Sequence, residues 1–210
     1  MATPAAAGTA RTTLMVLVPA VTAALLALHP AEPRSIRELA ATTDRWLAVH
    51  LGLLMAVGLV ALVVRHLLGD IDNRAARASR ALLPPAVALY AAFDALIGIA
   101  TGVLMREAAA MPPELQDGAL QLAQRWWDVP APVVFVTVLG PLTWAVAVGA
   151  AARATMSAGA PSLVTFGLAM TAVVFAWGHP GVTGAAAMLA LAAAVLTDHR
   201  RPRRRPVSGT

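Results

Sequence analysis

Six stretches of the chain are almost free of charge and are separated by short polar segments. They run from Thr12 to His29, Trp46 to about Leu68, about Ala81 to Met105, about Val133 to Ala152, about Ser162 to Gly178, and about Val182 to Thr197. Each comes close to the roughly 20 apolar residues that cross a bilayer as a helix. Backbone groups in hydrocarbon must find their partners within the segment, so runs of this kind are helices. The pattern predicts an all-α fold, a polytopic bundle of about six transmembrane helices. Residues 1–198 form one domain and residues 199–210 a basic tail. The last two runs are joined by Gly178-His179-Pro180-Gly181, which reads as a tight turn between antiparallel helices.

Two polar segments carry patterns of their own. Ser35-Ile36-Arg37-Glu38 fits a capping box, with Ile36, Leu39, Ala40 and Thr43 on one face of the short helix it would start. Pro113 to Asp128 puts Leu115, Ala119, Leu122 and Trp126 on one stripe, with Glu114, Asp117, Gln121 and Arg125 away from it. That is the pattern of a helix lying in the membrane interface.

Composition agrees with lipid as the solvent. The 210 residues are 59% hydrophobic and 13% charged, with a mean hydropathy of +0.70. Soluble domains are about 25% charged. There is no cysteine, which excludes disulfides, thiolate metal sites and cysteine nucleophiles. The net charge is +5, and all 16 basic residues are arginine. They cluster at the ends of the apolar runs, so topology explains them and nucleic-acid binding is rejected. With the N-terminus inside, 11 arginines fall inside and 5 outside. The positive-inside rule therefore favours both termini in the cytoplasm of a bacterial cell, with the protein in its cytoplasmic membrane. The first run is read as a retained span, because Arg11 is a meagre basic region and Ala27 to Ala31 a poor cleavage site. The tail, rich in arginine from Arg200 to Arg205, is expected to lie against anionic lipid. Nothing in the sequence fixes the oligomeric state.

Asp94 is the first candidate for chemistry. Counted from Met105 at 1.5 Å per residue, it lies about 16 Å deep, near the bilayer centre. A charged aspartate there costs roughly 2.5–3.5 kcal/mol on insertion scales, so it should face the bundle and be protonated or paired. It would serve as a proton carrier, a general acid or a cation ligand; a structural hydrogen bond is the plainer alternative. On the same run Gly98 and Gly102 form a pair of small residues suited to close helix packing.

His29, His50 and His179 are the second set, all at the outer ends of their runs. Converging imidazoles would bind a ligand, shuttle protons, hold a transition metal or supply axial ligands to haem. The plainer alternative is helix-ending punctuation, since His29 and His179 both precede proline. His66 and His199 sit beside arginines at the inner ends and read as interfacial. Trp46, Trp126 and Trp127 fit an outer aromatic belt, with Trp144 deeper. Pro141 should kink its helix. There is no Walker A motif, Gly-x-Ser-x-Gly elbow, His-Glu-x-x-His or paired aspartate-rich motif.

At Ala92-Phe93-Asp94-Ala95 with Gly98-Ile99-Ala100-Thr101-Gly102, and at His179-Pro180 followed by Gly184, the chain resembles uncharacterised actinobacterial multi-pass membrane proteins. The resemblance implies a six-helix membrane protein and carries no activity. In size and in its embedded acid the chain is also similar to small membrane-bound terpene cyclases, though no motif matches them. Three functions are therefore expected in turn. The first is a membrane protein that binds a small ligand or protons in an outer-facing cavity around Asp94, His50, His29 and His179. The second is an enzyme acting on an isoprenoid or lipid with Asp94 as general acid. The third is a haem or metal protein using the three histidines.

Overall fold

The structure is a computed structural model that describes residues 4–30, 40–128, 133–177 and 181–199. The expected capping box at Ser35, the turn around His179 and the basic stretch beyond His199 lie outside the described residues. Among those described, only helices and their connecting turns occur: α1 (Pro4–Ala27), α2 (Thr43–Leu68), α3 (Arg74–Ala110), α4 (Pro113–Asp128), α5 (Val133–Ser157), α6 (Ser162–Phe175) and α7 (Gly181–His199). Four of them, α2, α3, α5 and α7, are long and apolar enough to cross a membrane. The apolar part of α1 (Arg11–Ala27) and α6 are shorter.

Local chemistry explains the helix limits. α3 starts seven residues before the apolar run does, because the Asn73 side chain accepts from the Ala76 N–H and caps the helix in a polar stretch. It also continues past Met105 to Ala110. Its prolines, Pro84 and Pro85, and Pro141 of α5 all lie within continuous helix. α2 ends at Gly69, whose φ of 45° suits glycine and whose N–H meets the carbonyls of Arg65 and His66. Arg65 and His66 in that last turn complement the helix dipole.

The helices other than α4 close into a ring in the order α2, α1, α7, α6, α5, α3, and α2 also reaches across to α5 and α7. Glycines set the closest approaches. A Cβ on Gly140 of α5 would lie 2.9 Å from the Leu89 carbonyl oxygen of α3, and one on Gly167 of α6 would lie 2.8 Å from that of Ala190 in α7. Without a hydrophobic drive between helices in lipid, such contact-tight packing is what holds them together. The outward faces stay apolar at helical spacing, as in Leu51, Met55, Leu59 and Leu62 of α2, or Val138, Leu142 and Val146 of α5. A water-soluble surface would break such stripes with charge.

The two ends of the bundle differ. At one end the α2–α3 turn is bolted down: Asn73 Nδ2 donates to the Ala154 carbonyl of α5, and Arg80 donates to the carbonyls of Ile71 and Gly69. Arg65, Arg74, Arg77 and Arg153 share this end. Inside it, Val63, Val64, Leu68, Leu83 and Leu191 are fully or almost fully buried, alongside the buried hydroxyls of Ser79 and Thr155. At the other end α4 folds back on α3. Its Leu120 and Ala123 pack with Met105 and Trp46. Leu115 and Leu122, grouped with Trp126 on the expected apolar stripe, point away from the bundle at 56% and 65% exposure. The helix thus has two apolar faces, one for the protein and one left outward.

Candidate functional site

The first turns of α2 and the middle of α3 meet at one polar contact. Asp94 Oδ1 lies 2.7 Å from His50 Nδ1, and the two residues are 2% and 1% exposed. The contact needs a proton between the two atoms, carried by the imidazole or by the carboxyl. Either net-neutral form avoids a bare charge in an apolar bundle. His50 is five residues from Arg45, or about 8 Å along α2 at 1.5 Å per residue. Asp94 is level with it, and so lies in the half of the bundle nearer the α4 end. α3 continues past Met105 to Ala110 and carries α4.

The backbone is shaped for this contact. Asp94 opens a π-helical stretch, Asp94–Ala100, within α3. Such wider turns are rare inside α-helices and recur at functional sites. Trp46 Nε1 donates to the Gly98 carbonyl of this stretch at 2.7 Å. A Cβ on Gly98 would overlap the His50 ring, and one on Gly102 would lie 2.6 Å from Leu47 Cδ2 and 3.0 Å from Trp46 Cδ1. The paired glycines therefore seat one face of α2, made of Trp46, Leu47 and His50. Trp46 is buried beneath Met105 and Ala123, not spread in an interfacial belt.

His29, just past the end of α1, joins the same cluster. Its Nδ1 donates to the Pro30 carbonyl at 2.7 Å. Its ring centre is 5.1 Å from that of His50 and 5.0 Å from that of Trp46, while Trp46 and His50 are 4.4 Å apart. The three rings form a half-buried to fully buried series from the bundle's end to Asp94. Thus His29, His50 and Asp94 come together, and His179 lies outside the described residues.

Beyond Asp94 the core holds a cavity of about 30 Å³, to which α1, α2, α3, α5, α6 and α7 all contribute. Leu53, Val60, Phe175 and Met188 give it apolar walls. Its polar lining is Asp94, Tyr90, Thr22 and Trp144. The Tyr90 ring packs 5.7 Å from that of Trp144 and 6.3 Å from that of Phe175. Thr22 Oγ1 donates to the Val18 carbonyl. Trp144 Nε1 is buried and meets no acceptor among the described residues. A buried donor left that way costs about 1–3 kcal/mol. Tyr90 and Trp144 were not foreseen as parts of a site, although Tyr90–Asp94 and Trp46–His50 are both pairs four residues apart on a helix.

His50 is enclosed by Trp46, His29, Gly98 and Asp94. No group of three His, Cys, Asp or Glu among the described residues is arranged to hold a metal ion. Comparison with known proteins gives no match: no family model, curated protein or solved structure is significantly similar to the chain.

Proposed function

We propose that the chain is a six-span protein of a bacterial cytoplasmic membrane, with both termini inside, whose Asp94–His50 pair binds protons arriving from the outer face beside a small cavity in the core. The 2.7 Å contact between two buried titratable side chains carries this reading. His29 and its contact with His50 supply the link outward. The buried apolar side chains of Val63, Val64 and Leu68 support closure of the inward side. α1 and α6 count as spans here because each packs along α7 and shows lipid-type side chains outward, Leu14 and Leu17 on one and Phe166 and Val173 on the other. The positive-inside rule, applied to the arginines of the α2–α3 turn, supports a cytoplasmic placement of that end. There the tail meets anionic lipid.

Cavity size separates this reading from a lipid-transforming enzyme. About 30 Å³ holds about two water molecules, at roughly 10–15 Å³ each, and not an isoprenoid chain. The test is infrared difference spectroscopy of the full chain in liposomes across a pH step. A carboxyl signal present in the wild type should vanish in Asp94→Asn and shift in His50→Gln, with both variants monodisperse. An identical signal in wild type and Asp94→Asn would refute proton binding at this pair.

A further inference from the structure

The proposed proton site leaves one strong donor unused. Trp144 is 3% exposed, lines the same cavity as Asp94, and its Nε1 meets no acceptor among the described residues. Buried polar groups in native cores are almost always hydrogen-bonded, to protein or to ordered water. Neighbouring described side chains do not supply the acceptor, and α5 cannot slide to find one because Gly140 already seats its backbone against Leu89. The cavity that Trp144 lines is where a water can supply one. A cavity retains water when it offers about 10–15 Å³ per molecule and two to four polar partners for each. This one has about 30 Å³, and Trp144, Asp94, Tyr90 and Thr22 line it together with apolar side chains. Thr22 Oγ1 spends its proton on the Val18 carbonyl and keeps lone pairs to accept with.

We propose that the cavity is a built hydration site, in which a bound water accepts from Trp144 Nε1 and a chain of about two waters joins the indole to Asp94. Its use as a proton store rests on the proton-binding reading above, but its occupancy does not. Towards the α2–α3 turn the cavity wall is Val60, and Val63, Val64 and Leu68 of α2 are buried apolar side chains further along. Asp94, His50 and His29 give protons on these waters a route to the α4 end.

The test is solution NMR of the full chain in nanodiscs with the five tryptophan indoles labelled with ¹⁵N. Trp144→Phe assigns the relevant signal. The Trp144 indole proton should show a direct cross-peak to water, as should exposed Trp177, while Trp46, bonded to Gly98, should not. Ala56 lines the cavity, and Ala56→Val should remove the Trp144–water cross-peak and leave the Trp46 signal in place as a report of the fold. A Trp144 indole with no water cross-peak, or with one to lipid or detergent protons instead, overturns the hydration site. If it does so while the Asp94 signal still titrates, the proton-binding reading survives. A water cross-peak with no titration at Asp94 upholds the hydration site and removes its use as a proton store.

Discussion

Replacing Gly98 with alanine puts a methyl group where the His50 ring now lies. The new Cβ would overlap Nδ1 and Cγ of that ring and stand 2.7 Å from Cε1. Ordinary carbon contacts begin near 3.5 Å, so the ring or the helix must yield. The ring has little room, with Trp46 at 4.4 Å, His29 at 5.1 Å and the Asp94 carboxyl bonded at 2.7 Å. Overpacking of this kind costs about 1–3 kcal/mol. Loss of a hydrogen bond to an ionisable group adds roughly 1.5–3 kcal/mol. The gain in helix propensity from glycine to alanine returns at most about 1 kcal/mol. The expected net loss is about 2–4 kcal/mol, taking the middle of these ranges. Gly58 of α2 is the matched control, since a Cβ there meets nothing within 4 Å. Unfolding in mixed detergent micelles, followed by tryptophan fluorescence, would compare the two. Gly58→Ala should be neutral or slightly stabilising. A Gly98→Ala protein as stable as wild type, with its Asp94 carboxyl signal intact, would refute the seating of His50 by Gly98.

Gly140→Ala tests the approach of α5 to α3. Its Cβ would meet backbone atoms, Leu89 O at 2.9 Å and Tyr90 Cα at 3.3 Å, which cannot rotate aside. A loss of about 1–3 kcal/mol is expected in the same unfolding assay, and an unchanged midpoint would count against the packing. Orientation can be read by labelling, because the chain has no cysteine of its own. An impermeant maleimide added outside spheroplasts should label Gly118→Cys, in the open on α4, and should reach Ala158→Cys, at the α5–α6 turn, only after lysis. The reverse pattern would invert the topology, and equal labelling would mean that α5 does not cross.

Asp94 and His50 could each be singled out in the sequence because they interrupt apolar runs. Their partnership could not. They are 44 residues apart, and pairing them requires the axial offset of α2 against α3. That offset depends on α3 continuing five residues beyond Met105 and on α4 folding back over Trp46. The spacing of Gly98 and Gly102 announced close packing, but only the structure shows that an imidazole and an indole fill the space. Trp46 fitted an interfacial belt because composition at a helix end says nothing of what covers it. The amphipathic pattern of α4 was legible as a helix. Its division of labour was not, since Leu120 and Ala123 meet the bundle while Leu115 and Leu122 turn away. The turn carrying His179 lies outside the described residues.

The π-helical stretch at Asp94–Ala100 has a consequence for how α3 tolerates change. It resets the angular phase of the helix partway along. The residues before it pack chiefly on α5 and also touch α2, and those after it pack on α2 and α4. One rod thus serves two different sets of neighbours that share α2, with a slip joint between them. A one-residue deletion inside the joint would restore the ordinary pitch and swing Gly98, Gly102 and Met105 away from α2 together, whereas point changes in the Arg74–Phe93 half leave that face aligned. The site's alignment is therefore a property of chain length at this one place, more sensitive to an indel than to most substitutions.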